Sequence, residues 1–168
     1  MSFIFDSVDR FVVGTVGQPG ERAFFIQARN GARLTTISLE KAQVSALTNR
    51  LEVVLKDLRR NDFSLRTAEI QIDDRPLDTP IESEFEVGAI SLSWDQSDLT
   101  MNVELFEITN GDDDANLSLK VRLDIATCDT FIKRTKALLN AGRLTCPFCG
   151  LPIDPQAHLC PRANGYRR

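Results

Sequence analysis

Four side chains able to ligate a soft metal ion fall within fifteen positions: Cys146, Cys149, His158 and Cys160. Cys146-Pro147-Phe148-Cys149 places two thiolates where a tight turn can present both to one tetrahedral ion, with Pro147 stiffening the loop. The stretch 150–157 is rich in Gly and Pro and can double the chain back towards His158-Leu159-Cys160. Three sulfurs and one imidazole suit zinc, at about 2.0–2.3 Å. Iron–sulfur clusters favour all-cysteine ligation and fit less well. Four protein ligands leave no open coordination position, so one zinc per chain is expected to hold structure rather than activate water. The competing readings are a redox dithiol at Cys146 and Cys149, or a chance cluster. Three thiolates on Zn²⁺ leave a charge near −1, which Arg143, Arg162, Arg167 and Arg168 would offset.

Other chemistries lack their residues. The chain has a single histidine, and if it binds metal no imidazole remains as general base for a Ser or Cys nucleophile. No histidine precedes the Cys-x-x-Cys pair, as zinc deaminases require, and no phosphate-cradling glycine loop is present. Asp73 with Asp74, Glu82 with Glu84 and Glu86, and the run 112–114 read as solvated acids. Cys128 reads as a small buried apolar residue; the alternatives are a thiol activated by a helix start or a metal ligand in place of His158.

The elements that would position these residues follow from periodicity. Residues 11–17, 22–29 and 32–37 read as a three-stranded meander, with Asn30-Gly31 favouring a two-residue hairpin turn. Ser38 stands at an N-cap position before a stripe of Val44, Leu47, Leu51, Val54, Leu55 and Leu58, a helix running to about Arg60. Residues 61–80 are irregular, with a short strand candidate at 68–72. Phe85, Val87 and Ala89 alternate, then Ile90, Leu92 and Trp94 take over, which predicts a bulge or a twist between faces. Met101, Val103 and Leu105 alternate with polar residues, as do Leu117, Leu119, Val121, Leu123 and Ile125, predicting an antiparallel pair joined by the acidic loop 110–114. Thr127 as cap, Phe131, Ile132, Leu138 and Leu139 as buried face and Gly142 as stop give a second helix.

These elements predict an α+β fold: antiparallel sheet covered by two helices, plus a small zinc-knuckle segment. The body is 1–142 and the zinc-binding segment 143–168. Phe11-Val12-Val13-Gly14 and Phe85-Glu86-Val87-Gly88 each open three strands and a helix, suggesting β-β-β-α repeats over 1–60 and 84–142.

Hydrophobic residues make up 42% and charged residues 26% of the 168, a globular composition. No run is long and apolar enough to span a membrane, and the N-terminus lacks a secretory pattern, so a cytoplasmic protein is expected. The net charge of −4 disfavours general nucleic-acid binding. Its distribution is uneven: from Arg143 onward four arginines stand against one acid, Asp154.

The terminal run Cys-Pro-x-Cys, Asp-Pro and His-x-Cys-Pro-Arg-x-Asn-Gly resembles an uncharacterised, chiefly actinobacterial family of unknown function. Phe3-Ile4-Phe5, the run 9–15 and residues 20–25 resemble it too, so the likeness covers nearly the whole chain. It departs from that family's pattern at Ala157 and Tyr166, neither a proposed ligand. The resemblance implies a bacterial cytoplasmic protein and supplies no activity.

Two functions fit. The first is a non-enzymatic interaction module whose zinc presents Arg162, Asn164, Tyr166, Arg167 and Arg168 to a protein partner, or through its basic charge to nucleic acid. The second is an enzyme with a site between body and tail, using Asp154, Arg162 and Asn164. The missing catalytic set favours the first.

Overall fold

The computed structural model describes residues 1–18, 20–65, 72–111, 115–141, 144–145 and 152–153. In chain order the strands are β1 (Ser2–Phe5), β2 (Arg10–Val16), β3 (Ala23–Asn30) and β4 (Arg33–Leu39), followed by helix α1 (Lys41–Asn61). Then come β5 (Ser83–Asp95), β6 (Thr100–Glu107), β7 (Ser118–Leu123) and helix α2 (Ile125–Ala141), with the short strands β8 (Leu144–Thr145) and β9 (Pro152–Ile153) last. The order β-β-β-α thus occurs twice, each time opened by a strand carrying Phe-x-Val-Gly.

Strands β1 to β7 form one sheet in the order β1-β7-β6-β5-β4-β3-β2. It is mixed, which corrects the antiparallel expectation: β1 runs parallel to β7, and β4 parallel to β5. Strand β1 was not anticipated at all, because a four-residue strand carries little periodicity and its partner lies more than a hundred residues away.

The connection from β1 to β2 forces the sheet to curl. Laid flat, seven strands at roughly 4.8 Å spacing set the edges about 29 Å apart. The link from Phe5 to Arg10 can span only about 18 Å. The curl shows in contacts between distant strands. The Phe3 and Phe85 rings stack 6.5 Å apart, and the Arg33 guanidinium lies 4.2 Å from the Phe5 ring centroid. One face of this curled sheet carries the core, including Phe11, Val13, Ile26, Val87, Val103 and Val121.

The helices fill that face. Val44, Leu47, Leu51 and Leu55 of α1 are buried, as are Cys128, Phe131 and Ile132 of α2. Phe131 stacks on Phe11 at 5.0 Å. Both helix starts differ from expectation. Ser38 belongs to β4, paired with Glu86 of β5, so α1 begins after Glu40, whose N–H donates to Gln43 Oε1 at 2.8 Å. In α2, Asp124 replaces Thr127 as the capping residue, its carboxylate accepting the Thr127 N–H at 2.7 Å. A carboxylate at a helix N-terminus also meets the favourable end of the dipole.

Of the bulge or twist expected in β5, the bulge is present. Val87 pairs with Glu107 and Ile90 with Leu105, one extra residue on the β5 side. Burial changes phase there, from Phe85 and Val87 to Ile90, Leu92 and Trp94. The bend lets one strand serve two halves of the sheet, β4 on its first part and β6 on its second. Gln43 of α1 donates to the carbonyls of Val87 and Gly88 at 2.8 and 3.0 Å, tying the helix to the bulge.

The meander β2-β3-β4 matches expectation, with one refinement. Asn30 pairs with Arg33, so the turn residues are Gly31 and Ala32. Gly31 has φ +60°, as the first central position of a II′ hairpin requires. Of the strand candidate 68–72, residues 68–71 lie outside those described, and Ile72 is irregular and exposed.

Candidate functional site

The expected zinc ligands Cys146, Cys149, His158 and Cys160 lie outside the described residues, as do Arg162, Asn164, Tyr166, Arg167 and Arg168. What is described are the strands on either side of the first cysteine pair. Leu144 pairs with Ile153 and Thr145 with Pro152, antiparallel. This pairing sets Thr145 and Pro152, which flank residues 146–151 in the chain, side by side. Among the described residues, no three His, Cys, Asp or Glu side chains are placed to share a metal ion.

Cys128 sits in the core beside Phe131, fully buried. Burial, with help from the charges of Asp129 and Asp124, pushes its thiol up to about 12. That removes the reading of an activated thiol, because the nucleophile is the thiolate.

Two polar arrangements occupy the outer face of the sheet. The first covers β2 and β3. Arg10, Val12 and Gly14 alternate with Phe11 and Val13 and so point away from the core, yet all three are buried. The segment 72–80 lies over them. Leu77 packs so closely on Gly14 that a Cβ there would sit 2.3 Å from its Cγ. Gln27 Nε2 donates to Asp78 O at 2.9 Å while Gln27 Oε1 accepts the Asp78 N–H at 2.8 Å, so the side chain holds this strap as a backbone strand would.

Asp73 is the electrostatic centre of the strap. Its carboxylate accepts from Arg10 Nε at 2.8 Å and Nη2 at 3.1 Å, and from the Arg75 backbone N–H at 3.1 Å. Burial raises its pKa, but the hydrogen bonds from Arg10 and Arg75 and the Arg10 charge outweigh that and hold it at about 2. Arg134 of α2 closes the assembly. It donates to Val13 O, Asp73 O and Arg75 O at 2.8, 2.8 and 2.7 Å, the first of these along the outer edge of β2. Burial lowers the pKa of this guanidinium, opposed by the charge of Asp73. Arg29 adds an ion pair to Asp78 at 3.1 Å. These bonds engage Nε and one terminal nitrogen of both Arg10 and Arg134 and tie the strap to β2 and α2, so the arrangement reads as a latch.

The second arrangement, over β1, β7, β6 and β5, is open. A cavity of about 430 Å³ is lined there by polar residues of the outward-facing rows. Strand register sets their order: Ser91 faces Glu104, Glu104 faces Lys120, and Lys120 faces Ile4. In the next row Ser93 faces Asn102 and Asn102 faces Arg122. Arg122 is turned to Asp95, at 3.4 Å, and to Asp98 in the β5–β6 hairpin. The alternation of the sequence identifies Ser91, Ser93, Asn102, Glu104, Lys120 and Arg122 as outward-facing. It does not bring them together, because that depends on pairing between distant segments.

No helix among the described residues is long and apolar enough to cross a membrane. No curated protein and no solved structure matches the chain. The DUF3090 family, proteins of unknown function, matches residues 3–160, a span that takes in the curled sheet, both helices and all four expected metal ligands. The chain belongs to this family.

Proposed function

We propose that the chain is a non-enzymatic interaction module in which one structural zinc ion, held by Cys146, Cys149, His158 and Cys160, fixes the basic C-terminal segment for a protein partner. The observation that carries this reading is the antiparallel pairing of β8 with β9. Thr145 and Pro152, which flank the six residues holding Cys146 and Cys149, are paired, and two thiolates at Cys-x-x-Cys spacing suit one tetrahedral ion. The second pair, His158 and Cys160, follows β9 by a few residues of sequence. A segment this short has little core of its own, so metal binding would supply its folding free energy. Arg162, Asn164, Tyr166, Arg167 and Arg168 would then be presented in one place.

The test is metal content of the purified protein by elemental analysis, beside His158→Ala and Cys149→Ser. The expected result is about one zinc per chain, lost or weakened in both variants, with the melting of the body unchanged. Zinc-free protein prepared without chelators, showing a Cys146–Cys149 disulfide on oxidation, would refute the closed site and favour a redox dithiol.

A further inference from the structure

We infer that the open cavity over β5, β6 and β7 binds a small zwitterion of the amino-acid class. Three observations carry this. A volume of about 430 Å³ falls within the range of small-molecule pockets. Lys120 and Glu104 stand directly opposite each other on adjacent strands, about 5 Å apart at Cβ. Yet among the described residues neither makes an ion pair or a side-chain hydrogen bond. The cavity also brings Asp6, Asn102, Ser91 and Ser93 to the same space, none with a side-chain partner among the described residues.

Charge decides the ligand class. Arg122 is engaged by Asp95 and Asp98, which leaves Lys120 as the cation and Glu104 and Asp6 as the carboxylates facing the cavity. A simple anion drawn to Lys120 would meet Glu104 one strand away, and a simple cation drawn to Glu104 would meet Lys120. Coulomb repulsion at such a separation cancels much of the attraction. A molecule carrying both charges a few ångströms apart avoids the conflict. Its carboxylate lies at Lys120 and its ammonium between Glu104 and Asp6, with Asn102 and the serine hydroxyls for the remaining polar atoms. Ile4, half exposed on β1, gives an apolar wall for a short side chain. The inference is independent of the zinc reading.

The experiment is a titration of the full chain with L-alanine, L-serine and L-leucine, followed by amide chemical shifts. Propionate and propylammonium, each with one of the two charges, serve as controls. Saturable shifts centred on β5, β6 and β7 with at least one amino acid are expected, and no comparable saturation with either control. Lys120→Glu and Glu104→Lys should each weaken binding by about tenfold or more, and the double exchange should recover part of the loss. The recovery separates a lost site from a damaged fold. Absence of saturation with all three amino acids would overturn the inference. So would equal binding of propionate or propylammonium, or binding indifferent to both single variants.

Discussion

Replacing Asp73 by Asn should cost stability in a pH-dependent way, and the size of the effect follows from the latch. Asp73 is 11% exposed and its partner Arg10 3%, so solvent screens the pair weakly. Its pKa falls from 3.8 to about 2 on folding, burial being outweighed by the bonds from Arg10 and Arg75. Each tenfold change in proton affinity is worth about 1.4 kcal/mol, so the ionised carboxylate contributes about 2 kcal/mol. The sign is fixed by the direction of the change. A depressed pKa means stability fully present above pH 3.8 and lost as pH falls through about 2. In Asp73→Asn the charge is gone at every pH, and an amide N–H₂ is set against the Arg10 donors. Leaving that buried guanidinium with only Asp78, 3.8 Å away, as counterion adds to the loss, for a total of about 2–4 kcal/mol near neutrality. Urea unfolding of both proteins at intervals from pH 7 to pH 2 measures the difference. The gap should be constant down to about pH 5 and shrink by about 2 kcal/mol towards pH 2. Parallel stability curves across that range would refute the assignment of Asp73 as the carboxylate held ionised by Arg10.

The packing of Leu77 on Gly14 predicts that Gly14→Ala destabilises by about 1–3 kcal/mol, because the new Cβ would meet Leu77 Cγ at 2.3 Å. Chemical denaturation should show the effect shrinking in a Leu77→Ala background, and additive losses would contradict the contact. With its thiol buried and raised to about 12, Cys128 should resist a thiol-exchange reagent at pH 8 in native protein and react on unfolding; a Cys128→Ala control assigns the signal. Gln43→Ala removes two bonds to the bulge carbonyls and the acceptor of the Glu40 N–H at the start of α1, and should cost about 1–3 kcal/mol. Hydrogen exchange should then quicken at the start of α1 and around Val87, and unchanged protection there would disconnect the two.

Much of the fold was legible because burial writes its period into the chain. The stripe from Val44 to Leu58 and the alternation from Met101 to Leu105 each report one buried face. The phase change between Val87 and Ile90 even located the bulge. What periodicity cannot report is pairing. Nothing local in Ser2–Phe5 points to Ser118–Val121, so β1 and the mixed character of the sheet were missed. The caps slipped by two or three residues for a similar reason. Ser38 has the right chemistry for a cap, but pairing with β5 keeps it in a strand. The irregular stretch after residue 72 was legible as a connection and not as a strap, since its hold on β2 and β3 comes from side chains of Arg10, Gln27 and Arg134. Lys120 and Glu104 look like any solvated residues until the register sets them face to face.

The two outer-face arrangements differ in how their polar groups are satisfied, and that difference separates structure from binding. Over β2 and β3 the guanidinium groups of Arg10 and Arg134 reach backbone carbonyls as well as a carboxylate. Backbone acceptors cannot rearrange without moving the strap, so these bonds specify one position of residues 73–78 against β2. A ligand displacing the strap would have to break them. Over β6 and β7 no such exchange is required. Lys120 and Glu104 hold their places through the strand ladder alone, and their side chains are uncommitted among the described residues. The bulge in β5 joins the two cases. It turns a single strand from the strapped half of the sheet to the open half, so the rigidity of the first positions the second.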